Sequence, residues 1–193
     1  MGKLKNCLIK KDPACVPVWF MRQAGRYLPE FQKIRAQNKN FIDLCLNSSL
    51  SSEITLQPLK RFNLDAAIIF SDILMVPFAL GQNVKFEKNE GPVLSPFDLK
   101  FFSSQNKKTF IQKLNPIYEA ISISRKKLDN EKSLISFIGA PWTLIVYMLG
   151  LKVKKNQIDK KKILKLEHEI EIILDEIDEY LCLHIEKQID AGA

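Results

Sequence analysis

Arg22 and Arg26 stand on either side of a glycine in the run Met21-Arg-Gln-Ala-Gly-Arg26. Two guanidinium forks on one short turn suit bidentate capture of carboxylates or phosphates, and Gly25 lets the backbone bend and come close to a ligand. The alternative is that both arginines pair with buried acids elsewhere in the fold. Asp72 follows the apolar run Ala66-Ala-Ile-Ile-Phe70 through Ser71. At the end of a buried strand its carboxylate either faces a pocket mouth or caps the helix that comes next. Position alone favours the cap. Tyr147, a helical turn beyond Pro141-Trp142, reads on position alone as an aromatic packing residue with a satisfied hydroxyl.

Metal chemistry finds no spacing to support it. Cys7, Cys15, Cys45 and Cys182 are irregularly placed and form no Cys-x-x-Cys pair, and His168 and His184 fall in a strongly helical stretch where they read as helix-face residues. No metal and no cofactor are expected. The formal charge is +7, from 29 Lys and Arg against 22 Asp and Glu, which admits nucleic acid, a membrane surface or an acidic substrate as partner. Much of the excess lies in Lys152-Val-Lys-Lys-Asn and Lys160-Lys-Lys. With no interleaved aromatics these read as solvated loops and helix ends, so neither nucleic acid nor membrane is expected as a partner. No apolar run approaches the roughly 18–20 residues of a membrane span: Asp65 interrupts one candidate, and Gly139 and Pro141 the other. The N-terminal stretch has lysines but no secretory core, and its Met-Gly start has Asn6 where myristoylation requires Ser or Thr. A soluble, cytoplasmic protein with reduced thiols is expected.

The elements that must position these groups alternate. Val16–Phe20 reads as a short strand ending in the arginine turn. A helix is expected over Asn40–Arg61, with Ser51 and Ser52 before Glu53 as a cap inside it. Ala66–Phe70 and Leu134–Ile138 read as strands buried on both faces. Residues 81–97 read as an irregular or hairpin excursion with a turn at Asn89-Glu90-Gly91-Pro92. Helices are expected over Lys107–Leu128, started or kinked by Pro116, and over Lys161–Ile189, where apolar residues recur at three- and four-residue steps. Buried strands separated by helices imply an α/β fold with a parallel sheet. The polar clusters Met21–Arg26, Ser71-Asp72 and Gly139–Tyr147 then sit at the C-terminal strand ends, where such folds build active sites. A complete (β/α)8 barrel takes about 250 residues, so a chain of 193 residues is either a smaller open-sheet protein or an incomplete barrel.

Pro17-Val-Trp-Phe-Met-Arg-Gln-Ala-Gly-Arg26 resembles the N-terminal signature of uroporphyrinogen decarboxylases, and Phe137-Ile-Gly-Ala-Pro-Trp-Thr-Leu-Ile-Val-Tyr-Met148 resembles their second signature. Tyr27-Leu-Pro-Glu-Phe, Glu53-Ile-Thr-Leu-Gln-Pro, Ile69-Phe-Ser-Asp-Ile-Leu and Glu90-Gly-Pro-Val-Leu are similar to family blocks in family order. The chain departs after Met148, where Leu149-Gly-Leu-Lys-Val-Lys-Lys replaces an acidic, glycine-rich loop; the conformation of 149–157 is therefore open.

The resemblance implies a (β/α)8 barrel, of which residues 1–193 would be the N-terminal portion of a single domain, an incomplete barrel with about the first three strands. It implies a cofactor-independent carboxy-lyase, a homodimer when full length, that decarboxylates the four acetates of uroporphyrinogen III to give coproporphyrinogen III in heme biosynthesis. Arg22 and Arg26 would hold substrate carboxylates, and the Gln23-Ala24-Gly25 backbone would line the pocket. Asp72 would accept from pyrrole N–H groups, with Tyr147 hydrogen-bonding nearby. Proton relay falls to Arg22 before Arg26. The family also uses a hydroxyl residue and a histidine from later strands, so this stretch alone is expected to be inactive, and its open strand edges to aggregate. Two rivals remain: a corrinoid or methionine-synthase-like methyltransferase using zinc, and a non-catalytic porphyrin-binding protein.

Overall fold

The computed structural model describes residues 2–11, 16–87, 91–154 and 157–193. In chain order the elements are α1 (Lys3–Lys10), α2 (Pro29–Gln37), α3 (Phe41–Cys45), α4 (Ser48–Arg61), β1 (Ala66–Ile68), α5 (Met75–Ala79), β2 (Val84–Glu87) and β3 (Gly91–Leu94). They continue with α6 (Leu99–Ser103), α7 (Lys107–Lys127), β4 (Ser133–Ile135), α8 (Pro141–Met148), β5 (Lys152–Lys154), β6 (Gln157–Ile158), α9 (Lys160–Lys165) and α10 (Glu167–Asp190). The chain forms two compact units: residues 1–71, 115–137 and 187–193 make the first, and 72–114 with 138–186 the second.

The first unit is built on a parallel pair. β1 and β4 align Ala66 with Ser133, Ala67 with Leu134 and Ile68 with Ile135, and all three β1 residues are buried. A strand without a polar face can only be stable when covered on both sides, so the apolar run dictates its place. Pro29 starts α2 at a position where its missing N–H costs nothing. Asn40 and Asn47 cap α3 and α4, accepting from the N–H groups of Ile42 and Leu50. The single helix expected over 40–61 is thus two, because the Asn47 cap restarts the helix. Ser51 and Ser52 are not caps. They are buried within α4, where Ser51 Oγ donates to Phe70 O at 2.7 Å and Ser52 Oγ accepts from Ser124 Oγ at 2.9 Å. Leu28, Phe31, Leu44 and Ile54 form a core cluster, with Ala24, Ile34, Leu50 and Phe70 packed against it.

Val16–Phe20 is not a strand. Val18 N–H donates to the Asp65 side chain and Phe20 N–H to the Gln23 side chain, so donors that a ladder would use are taken by side chains. Among the described residues the parallel sheet has two strands rather than three.

In the second unit β2 and β3 form the expected antiparallel hairpin; its turn at Asn89-Glu90 lies outside the described residues. α6 is capped by Asp98. Phe102, Phe110, Leu144, Ile145, Ile173 and Ile177 are buried to 2% exposure or less. The departing stretch after Met148 turns at Gly150, with φ +57°, into a second hairpin of β5 and β6. The helix expected over 161–189 is broken at Leu166 into α9 and α10, and Asp159 caps α9. α7 runs through Pro116 without ending, so the proline neither starts nor stops it.

Candidate active site

The arginine turn in the first unit is assembled from backbone attachments. Asp65 and Val18 exchange two bonds: Asp65 N–H donates to Val18 O at 2.9 Å, and Val18 N–H donates to Asp65 Oδ2 at 2.8 Å. The Val18 N–H holds the Asp65 carboxyl below its ordinary range against the opposing effect of burial, and Lys3 Nζ at 3.4 Å adds to the lowering. This ties the segment leading to the turn beside β1.

Gln23, 3% exposed, makes the next attachment. Its Oε1 accepts from Phe20 N–H at 3.1 Å and its Nε2 donates to Ala66 O at 2.9 Å. Both polar ends of the carboxamide are satisfied, which is the condition for burying it without a large penalty. Leu28 N–H then closes the turn onto Gly25 O at 3.0 Å, and Gln32 Nε2 holds Arg26 O at 2.8 Å. The Tyr27 ring packs over Gly25, where a Cβ would lie 1.9 Å from Tyr27 Cε1 unless the exposed ring moved.

The side chains of Arg22 and Arg26 are exposed. Within their unit, among the described residues, neither forms an ion pair; the arginine that does pair is Arg61, whose Nε and Nη2 grip Glu30 at 2.6 and 2.9 Å. That fork holds the Glu30 carboxyl below its usual range. Pairing with buried acids, the alternative reading of Arg22 and Arg26, is therefore not what this unit shows.

Asp72 and Tyr147 lie in the second unit. Asp72 is half-buried, and its Oδ1 accepts from Leu74 N–H at 2.9 Å while its backbone carbonyl accepts from Met75 N–H. This is a side-chain turn two residues on, just ahead of α5, whose own cap position is Leu74. Asp72 is therefore not the N-cap that position alone favoured: Leu74 holds that place without a side-chain cap, two residues beyond the turn made by Asp72. Gly139 packs against the residue after it: a Cβ on Gly139 would come within 3.1 Å of Ile73 Cβ. The turn that opens α8 therefore lies on the segment that follows Asp72. Tyr147, at the far end of α8, is half-buried.

The structure brings Arg22, Gln23, Ala24, Gly25 and Arg26 together on one turn, and places Asp72 and Tyr147 on two segments packed together in the second unit. A cleft of about 350 Å³ in the first unit, lined by residues including Glu53, Lys60, Lys127 and Lys132, contains none of these residues. Neither does a cavity of about 50 Å³ in the second. Sequence reasoning missed the anchoring roles of Asp65 and of the Gln23 side chain. The signal available for Asp65 was an acid directly ahead of a buried strand. Among the described residues no group of three or more His, Cys, Asp or Glu could hold a metal ion, and no helix is long and apolar enough to cross a membrane.

Parallel strand pairing flanked by helices, with polar turns beyond the strand ends, defines an α/β protein. Its likeness to a methyltransferase from Methanosarcina mazei is a likeness of fold, with a TM-score of 0.60 at 19% identity over 79% of this chain and 48% of that one. The family model for uroporphyrinogen decarboxylase matches residues 3–193, and the chain belongs to that family. It is 44% identical to the uroporphyrinogen decarboxylase of Campylobacter jejuni over 97% of this chain and 56% of that protein. Against the Orientia tsutsugamushi enzyme it is 42% identical, over 100% and 56%, and against that of Rickettsia rickettsii 46%, over 92% and 52%. The chain spans about half the length of the curated relatives it matches.

Proposed function

We propose that this chain is the N-terminal portion of a single (β/α)8-barrel domain that converts uroporphyrinogen III to coproporphyrinogen III, with neither metal nor organic cofactor. The observation that carries the reading is the family match across residues 3–193, joined to an arginine turn whose backbone is fixed and whose guanidiniums are exposed. The whole protein acts as a cytoplasmic homodimer on a tetrapyrrole, with no nucleic-acid or membrane partner.

Each role follows from the chemistry of the residue. The substrate is a polyanion, and Arg22 and Arg26 grip its carboxylates bidentately. The Gln23 carboxamide is spent on Phe20 and Ala66, so the 23–25 segment offers its backbone to the pocket. A proton added to the pyrrole α-carbon next to the one that bears the acetate leaves a cationic ring whose acetate-bearing carbon can accept the electron pair. The C–C bond to the carboxylate then breaks, its electron pair neutralises the ring and carbon dioxide leaves. A second proton on the exocyclic carbon gives the methyl group as the ring proton is returned, so each cycle consumes one proton net. Asp72, oriented by Leu74 N–H, stabilises the transient cation by accepting from pyrrole N–H groups, and Tyr147 adds a hydrogen bond beside it. A preorganised group of this kind contributes about 3–4 kcal/mol to the barrier. Arg22, before Arg26, relays the proton.

The test is anaerobic incubation with uroporphyrinogen III, following loss of carboxylates as porphyrins after oxidation. It is run on the chain alone and on the chain assembled, as judged by size, with the remaining half of the Campylobacter jejuni relative. Coproporphyrin is expected from the assembly and none from the chain alone. Bound but unconverted octacarboxylate in the assembly would make the protein a porphyrin binder. Product from the chain alone would remove the incomplete-barrel reading.

A further inference from the structure

Gln82 is 8% exposed and its carboxamide Nε2 reaches two carbonyls, Ser95 O at 2.7 Å and Met148 O at 2.9 Å. Its own N–H donates to Pro77 O at 3.0 Å, which fixes it to the end of α5. The turn before it is tight: Gly81 has φ +94°, and a Cβ there would lie 2.0 Å from Phe101 Cε1. Gln82 therefore joins three pieces of the second unit, namely the end of α5, the strand exit at Ser95 and the last turn of α8.

The join matters because of what α5 and α8 carry. Asp72 stands just ahead of α5, and Tyr147 directly precedes Met148. At the near end of α8 the Gly139 turn lies on Ile73; at the far end Gln82 holds Met148. The two helices are pinned at both ends, like end to like end. The near pin is a packing contact that any close fit could supply, whereas the far pin is directional and depends on one amide.

The amide is held at a cost. Gln82 Oε1 is buried with no hydrogen-bond partner among the described residues, a penalty that a leucine of similar volume would exchange for two stranded carbonyls, those of Ser95 and Met148. A carboxamide satisfied on one side only is not the simplest filler for an interior position, and what it provides here is the directional tie. Leu at this position keeps the bulk and removes the donor, and Glu leaves at most one donor, on a protonated carboxyl, for two carbonyls.

We propose that Gln82 is a positioning residue for the proposed decarboxylation, holding the Tyr147 end of α8 in register with the segment that begins at Asp72. The proposal rests on that reading of function for its catalytic half, and the experiment separates the two. Backbone hydrogen exchange is measured on the full chain and its Gln82→Leu variant. The amides of Leu149, Gly150 and Leu151, which donate to Ile145, Tyr147 and Val146, should exchange about tenfold faster in the variant, while those of α10 keep their protection. A uniform change across both, or none, overturns the tie. In the assembled enzyme Gln82→Leu and Gln82→Glu should each lower kcat about fivefold to tenfold with KM within twofold, because the arginine turn that binds the carboxylates is untouched. An unchanged kcat, or a loss confined to KM, overturns the positioning role. If the unsubstituted assembly makes no coproporphyrinogen, the reading of function fails and takes the catalytic half with it, while the exchange result still decides the tie.

Discussion

Two buried glutamines hold the two candidate regions, and they are held differently. Gln23 in the first unit satisfies both ends of its carboxamide, on Phe20 N–H and Ala66 O. Gln82 in the second uses only its nitrogen. The arginine turn is accordingly a rigid mount for exposed side chains, in which little of the binding chemistry is committed within the unit. The Asp72 segment is the reverse, since its carboxylate already serves the local backbone and must do chemistry from that fixed orientation. In the proposed reaction, one region would supply charge for capture and the other orientation for the chemistry.

The sharpest way to break this comparison is Asp72→Asn or Asp72→Ala. Either should lower kcat in the assembled enzyme by a hundredfold or more, the effect of losing about 3–4 kcal/mol of preorganised stabilisation. Near-normal turnover in either would leave orientation without a catalytic residue. Acid offers the next largest effect. Burial pushes the His184 imidazole down to about 4 from 6.5. Between those values the unfolded chain binds a proton that the folded unit does not, so stability is intact above about pH 6.5 and falls by up to about 3 kcal/mol as the pH approaches 4. Asp65 in the first unit behaves otherwise, because its lowered pKa keeps its contribution intact until the pH drops below the ordinary 3.8. Hydrogen exchange at pH 5 should therefore show the second unit loosening while the first holds, and His184→Phe should remove the difference.

Gln23→Leu should cost about 2 kcal/mol in urea denaturation, since it strands Phe20 N–H and Ala66 O, and should weaken tetrapyrrole binding more than it alters α8. Gly25→Ala is the mildest. Its methyl meets the exposed Tyr27 ring, which can swing aside, so a loss of about 1 kcal/mol is expected. Adding Tyr27→Ala should restore most of it; failure of that rescue would move the strain from ring to backbone.

What the sequence disclosed and what it hid follow one physical division. Runs of apolar residues located both strands, but burial on both faces holds for β1 alone; in β4 only Leu134 is buried, with Ser133 and Ile135 half-buried, so the doubly covered strand expected over Leu134–Ile138 is not found. Alternation pointed to the β2–β3 hairpin, the helix expected over Lys107–Leu128 is α7, and three- and four-residue periodicity found most of α10. The expectation at Val16–Phe20 failed because an extended segment can have its donors taken by side chains, here Asp65 and Gln23, and no local pattern shows where a distant carboxylate will be. α1 was invisible for a related reason, having no buried residue to impose a period. Residue type singled out the arginine turn and Asp72 as candidates, but not the two carboxamides that hold these regions, because a glutamine announces neither its burial nor its partner.

The attachment of the arginine turn is made to a main-chain carbonyl, that of Ala66. Carbonyls are common to every residue, so what is recognised is a place on the strand and not an amino acid. Sequence drift at position 66 leaves the grip intact for as long as the new side chain fits the interior, whereas position 23 has no such freedom. The architecture lets the framework diverge while the instrument mounted on it keeps its aim.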